Sequence, residues 1–71
     1  FKELQIIKAN HNNINSISFS IPDLILLEIS NNHIKNLNFL VNSKKLRELN
    51  CSFNELSDIG PVSNMNSIEL L

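Results

Sequence analysis

Apolar positions recur along this chain with a period of about 22 residues, and self-similarity of this kind indicates a repeat architecture. The clearest copy spans residues 46–56 and follows the order L-x-x-L-x-L-x-x-N-x-L, with Cys51 in the third apolar place. The five defining places are taken one full period earlier by Leu24, Leu27, Ile29, Asn32 and Ile34. They are taken once more, after a slightly shorter step toward the N-terminus, by Leu4, Ile7, Ala9, Asn12 and Ile14.

The segments between these copies repeat as well. Three apolar residues from the last place of the second copy onward have counterparts one full period later, and the pairs are Ile34 with Leu56, Leu37 with Ile59, and Leu40 with Val62. A fourth copy opens near the end of the chain with Ile68 and Leu71. Departures are few: Ala9 and Cys51 replace a larger apolar residue, and Ser43 stands where an apolar residue is expected.

Each copy predicts a short β-strand followed by a return segment. In the second copy Leu27 and Ile29 alternate with Leu26, Glu28 and Ser30, which is the alternating pattern of a strand with one buried face. Strands of successive copies would pair in parallel, about 4.8 Å apart, and a right-handed crossover would return the chain behind the sheet. About ten residues remain for each return segment, which favours a 3₁₀ turn or one helical turn. The expected fold class is therefore α/β.

With this motif and this period, the chain resembles the leucine-rich repeat family. The 22-residue length and the L-x-x-I-x-x-L linker are similar to the subclass found in phosphatase regulatory subunits and in secreted bacterial internalin-type proteins. The resemblance implies a solenoid wound as a right-handed superhelix, with a parallel β-sheet on its concave face and 3₁₀ or irregular return segments on its convex face. It also implies protein partners, bound on the concave face.

Both ends of the chain fall inside a copy of the pattern. Residues 1–71 would then form an internal stretch of a leucine-rich repeat array, with about three repeats and the start of a fourth. No polar cap is visible at either end, whereas solenoids need capped ends for solubility. We therefore expect contacts with flanking repeats of the same chain.

The Asn of each copy has a physical role in such a fold. The chain turns sharply after each strand and leaves backbone N–H and C=O groups facing away from water. A short amide side chain can satisfy these groups and link one repeat to the next. The predicted ladder consists of Asn12, Asn32 and Asn54. Losing one member would cost about 1–3 kcal/mol for each backbone group left unsatisfied.

Candidate binding residues follow from the alternation along each strand and from the strand exits. These outward positions form a surface that a partner could contact, and they are Ile6, Lys8, His11, Leu26, Glu28, Asn31, Glu48, Asn50 and Phe53. A further outward column contains Asn10, Ser30 and Ser52. By the same register, Leu70 would extend the column that contains Ile6, Leu26 and Glu48.

Three of these positions carry more specific expectations. Lys8 and Glu28 are neighbours in one column on adjacent strands, so they are predicted to form an ion pair worth about 0–1 kcal/mol. Phe53 is predicted to pack along the edge of its repeat, with partner recognition as the alternative. His11 faces solvent by register and is predicted to be a solvated side chain, with contact to a partner as the alternative.

The charge balance argues against one class of partner, nucleic acids. The chain contains 6 Lys and Arg against 7 Asp and Glu, which gives a net charge of −1 and argues against nucleic-acid binding. The longest apolar run, residues 24–27, is too short for membrane insertion. Lys44, Lys45 and Arg47 form a basic cluster, interpreted as a solvated edge or, alternatively, as a contact for an anion or an acidic partner.

The sequence predicts no catalytic residues, no metal site and no cofactor. Gly60 is its only glycine, so a Gly-rich phosphate loop is excluded. His11 and His33 occupy different places in their copies and have no paired Cys, which argues against zinc. The single Cys51 cannot form an internal disulfide, and no signal peptide is visible. These features favour a cytoplasmic protein, with an extracellular or cell-surface location left open.

The function that the sequence favours is a protein–protein interaction module, acting as a scaffold or a regulatory subunit through its strand face. Affinity would come from a few buried anchor residues and not from total contact area. Two alternatives remain open. The array could be the regulatory or recognition part of a larger enzyme, or it could belong to an extracellular cell-surface recognition protein.

Overall fold

The computed structural model describes residues 3–63 and 69–70. Four short strands form one parallel sheet in chain order, and they are β1 (Ile6–Lys8), β2 (Leu26–Glu28), β3 (Glu48–Asn50) and β4 (Glu69–Leu70). Parallel neighbours in chain order require every connection to cross behind the sheet. The parallel sheet and few short helices fit the predicted α/β class.

The register of the first three strands follows the repeat. Ile7 pairs with Leu27, and Leu27 pairs with Leu49, so the inward residues of the three copies lie side by side. All of them lie on one face of the sheet because side chains alternate along a strand. That face is directed to the core, where Leu27 and Leu49 are fully buried.

The register of β4 corrects one prediction. Leu70 pairs with Leu49, and Glu69 pairs with Glu48, so Leu70 does not extend the outward column that contains Glu48. A register shift by a single position exchanges the two faces of a strand. Ile68 and Leu71, the predicted start of the fourth copy, lie outside the described residues.

The return segments contain only short helices. A 3₁₀-helix spans Asn38–Leu40, and a single turn of α-helix, α1, spans Gly60–Ser63. Both have the lengths that the sequence predicts for a return of about ten residues. The 3₁₀-helix buries Phe39 and Leu40 against the back of the sheet.

The core lies between the sheet and these return segments. Its fully buried members come mainly from the second copy and the linker after it, namely Ile21, Leu24, Leu27, Ile29, Ile34, Leu37, Leu40 and Leu49. Ser43, which interrupts the apolar pattern, is also fully buried. Its hydroxyl donates a hydrogen bond of 2.8 Å to the carbonyl oxygen of Ile21, which satisfies the polar group inside the core.

Candidate binding surface

The strand face is the outward side of the sheet together with the strand exits. Of the nine residues that the sequence assigns to it, six are exposed: Ile6, Lys8, His11, Asn31, Glu48 and Phe53. The other three are half-buried: Leu26, Glu28 and Asn50. The sheet register places Ile6, Leu26 and Glu48 in one row and Lys8, Glu28 and Asn50 in the next. The sequence-predicted residues thus come together on one surface.

Hydrogen bonds between neighbouring side chains fix the centre of the strand face. Asn10 Nδ2 donates to Glu28 Oε1 at 3.0 Å, and Asn10 Oδ1 accepts from the backbone N–H and the hydroxyl of Ser30 at 2.7 and 2.8 Å. The predicted Lys8–Glu28 ion pair is therefore wrong. The described ion pairs are His33 with Glu55 and Lys45 with Asp23. The Glu28 carboxylate accepts a hydrogen bond from the Asn10 amide instead.

A similar arrangement repeats on the third strand, this time within one copy. Asn50 Oδ1 accepts from the backbone N–H and the hydroxyl of Ser52, at 3.3 and 2.9 Å. Ser30 is only 7% exposed, so the predicted outward column of Asn10, Ser30 and Ser52 is largely engaged within the chain and is not a free surface. Fewer rotatable polar groups are left for a partner to immobilise on binding.

The predicted Asn ladder connects successive copies. Asn32 Nδ2 donates to the carbonyl oxygens of Ile29 and Ser30 in its own copy and of Ala9 in the copy before, at 2.9, 3.1 and 3.0 Å. Asn32 Oδ1 accepts from the backbone N–H of Ile14 at 3.2 Å. This buried amide is therefore engaged by backbone groups of two copies.

Asn54 has the same set of contacts one copy later. Its Nδ2 donates to Cys51, Ser52 and Ile29 carbonyl oxygens, and its Oδ1 accepts from the backbone N–H of Ile34 at 3.0 Å. Asn12 is exposed, and its described contacts are to the carbonyl oxygens of Ala9 and Asn10 in its own copy. All three Asn side chains bond to the turn that follows a strand. They thereby fix the position of the strand exits, where His11, Asn31 and Phe53 lie.

The strand exits share an unusual backbone conformation. His11, Asn31 and Phe53 each have φ of 58°, in the left-handed region that non-glycine residues seldom adopt. An Asn tolerates this conformation, whereas a bulky Phe is an outlier there. Phe53 is also 78% exposed, so the prediction that it packs along the repeat edge is wrong. The left-handed turn carries the ring away from the core.

Sequence reasoning missed a polar pair beside the ladder. His33 Nδ1 and Glu55 Oε2 are 2.8 Å apart, and both follow a ladder Asn directly. Together with Asn15 and Lys35 they line a shallow groove of about 440 Å³. The separation of His33 and Glu55 by one full period was the signal that could have revealed the pair, because it places residues on adjacent copies.

The side chains that could bind a metal ion are scattered over the described residues. Within residues 3–63 and 69–70, no group of three or more His, Cys, Asp or Glu side chains is placed to hold a metal ion. Cys51 is buried, and burial raises the pKa of its thiol above the usual value, which keeps the thiol protonated at neutral pH. None of the helices in the described part of the chain has the length and apolar character needed to cross a membrane.

Comparisons of the chain with protein-family models, with curated protein sequences and with solved structures give no match. The functional assignment therefore depends on the residues and their geometry.

Proposed function

We propose that this chain belongs to the leucine-rich repeat family and forms part of a right-handed solenoid, with the strand face on its concave side. The proposal is supported by the recurring L-x-x-L-x-L-x-x-N-x-L motif, by four parallel strands in chain order and by the matched contacts of Asn32 and Asn54. These features are all expected of a stack in which each copy contacts only its neighbours.

We further propose that the module binds a protein partner on the strand face and acts as a scaffold or regulatory subunit. The observation that carries this proposal is Phe53, which is 78% exposed and held in a left-handed conformation. Both features cost free energy in the isolated chain, and neither fills the core. Exposed aromatic residues at a rigid position are common anchors in protein interfaces.

A second apolar group lies on the same surface. Ile6 is 58% exposed at the outward position of β1, and Leu26 beside it is half-buried. The surrounding polar groups of Asn10, Glu28 and Ser30 are already hydrogen-bonded to each other. A partner would thus gain apolar contact area without removing water from unpaired polar groups. The centre of a protein interface usually has this apolar composition.

The experiment is a comparison of partner capture by matched variants. The Ile6→Ser and Phe53→Ser double variant removes the two most exposed apolar side chains of the strand face. Val41→Ser is the control, because Val41 is 51% exposed but lies just after the 3₁₀-helix of a return segment. A partner retained by the parent chain and by Val41→Ser, but lost from the double variant, supports the proposal. Equal capture by all three chains would overturn it.

A further inference from the structure

Half of the positive side chains of the molecule lie within one short segment, residues 44–47. The chain has 6 Lys and Arg, and three of them are Lys44, Lys45 and Arg47. They line a shallow groove of about 380 Å³ at the edge where the strands begin, and its apolar part comes from Ile25 and Leu46. We call these five residues the basic groove. It lies at the start of the strands, apart from the exits that carry Phe53.

Backbone hydrogen bonds hold the charged residues of the basic groove in place. The Leu46 N–H donates to Ser43 O at 3.2 Å, which closes a turn with Lys44 and Lys45 at its two central positions. The Arg47 N–H donates to the carbonyl oxygen of Ile25 at 2.8 Å, so the backbone of Arg47 lies beside the start of the neighbouring strand, β2. The backbone under the three cations is therefore defined by the fold.

Only one of the three cations has a carboxylate partner among the described ion pairs. Lys45 Nζ lies 3.1 Å from Asp23 Oδ1, which occupies the corresponding turn one copy earlier. The other oxygen of Asp23 accepts from the Glu3 backbone N–H at 3.1 Å. Lys44 and Arg47 carry two positive charges that no described ion pair balances, in a molecule whose net charge is −1.

We propose that the basic groove binds a phosphate group, either on a phosphorylated side chain or as the free anion. Such a group carries about −1.5 to −2 charges and three acceptor oxygens, which matches two cations around one small groove, whereas a carboxylate would balance only one. Arg47 can present its planar fork to two oxygens, and Lys44 supplies a point charge to the third. The half-buried Ile25 provides apolar contact for the carbon atom of a phosphorylated side chain. This site goes beyond the proposed strand-face function and does not depend on it.

The test is a titration of the full chain, followed by amide chemical shifts, with phosphoserine in a short peptide, with inorganic phosphate and with acetate. Saturable shifts at residues 44–47 are expected with both phosphates, together with weakening as salt is added. Acetate should bind at least about ten-fold more weakly, since it carries one charge. Tighter binding of the peptide than of inorganic phosphate identifies a phosphorylated side chain as the source, and equal binding identifies the free anion.

Variants decide whether the groove is responsible. Lys44→Gln with Arg47→Gln should lower the phosphate affinity at least about ten-fold, since it removes both unpaired charges. Lys35→Gln is the matched control, because Lys35 is an exposed cation that lines the separate groove of His33 and Glu55. Asp23→Asn should raise the affinity by releasing Lys45. Absence of saturable binding, acetate binding as tight as phosphate, or an unchanged affinity in the double variant, which would mean an adventitious ion only, would each overturn the proposal.

Discussion

The first and second copies of the repeat contain equivalent residues but differ sharply in burial. Leu24, Leu27 and Ile34 are at most 1% exposed, whereas Leu4 is 36% exposed and Ile7 and Ile14 are half-buried. The second copy packs between two others, and the first contacts a described copy on one side only. Burial in this molecule therefore depends on having a neighbour on both sides, and not on residue type alone.

The largest expected effect is a contrast between two core truncations. Leu27→Ala should lower the free energy of unfolding by about 2–5 kcal/mol, because it opens a cavity in a fully packed site. Ile7→Ala, at the paired position of β1, should cost less than about 2 kcal/mol because Ile7 is only half-buried. Chemical denaturation of both variants measures the difference. Equal losses would show that the two copies are equally covered in solution.

The second contrast compares two members of the Asn ladder. Asn32→Ala should cost about 2–3 kcal/mol, since it leaves buried backbone groups of two copies without a partner. Asn12→Ala should cost about 1 kcal/mol or less, because Asn12 is exposed and water can replace its contacts. Chemical denaturation again provides the measurement. A larger loss for Asn12→Ala than for Asn32→Ala would contradict this account of the ladder.

The third contrast concerns the strand exits. Phe53→Asn introduces the residue that the second copy has at this place, and it should stabilise the chain by about 1 kcal/mol because Asn tolerates the left-handed conformation. The reverse change, Asn31→Phe, should destabilise the chain by a similar amount. Thermal denaturation compares them, and partner capture should fall in Phe53→Asn. Destabilisation by Phe53→Asn would mean that the ring contributes to packing.

The smallest effect is a pH dependence that comes from the buried thiol of the third copy. Burial raises the pKa of Cys51 from its ordinary value of 9.0. The stabilisation that the neutral thiol provides is complete below pH 9.0 and is lost as the pH rises through the raised pKa of the folded chain. Urea denaturation from neutral to alkaline pH should therefore show a steeper loss of stability in the parent chain than in Cys51→Ala. An identical pH dependence of stability in the two chains would mean that the Cys51 thiol is in contact with water.

Much of the fold follows from the spacing of apolar residues. The parallel order of the strands, the register of β1 with β2 and β3, and the shortness of the return segments could all be predicted, because each depends on period and alternation. The register of β4 could not be predicted. The repeat spacing puts Leu71 one full period after Leu49, but the sheet pairs Leu70 with Leu49.

The side-chain contacts of the candidate surface were harder to predict. Whether Lys8 or Asn10 reaches Glu28 depends on small differences of distance across two strands, which the pattern does not define. The exposure of Phe53 depends on a backbone conformation that aromatic residues seldom adopt. Ser43 interrupts the apolar pattern, yet it is buried because a carbonyl oxygen lies within reach. Local geometry decides all three cases, through polar groups at Glu28 and Ser43 and through the backbone at Phe53.

The contacts of Asn32 and Asn54 with a neighbouring copy have a direction. Both side chains reach back to strands and turns nearer the N-terminus, to Ala9 and Ile14 in one case and to Ile29 and Ile34 in the other. Each amide therefore satisfies backbone groups of the turn that precedes its own, and that turn is complete only when the next one is in place. A substitution of Asn32 or Asn54 would thus be felt in two consecutive turns, its own and the one before.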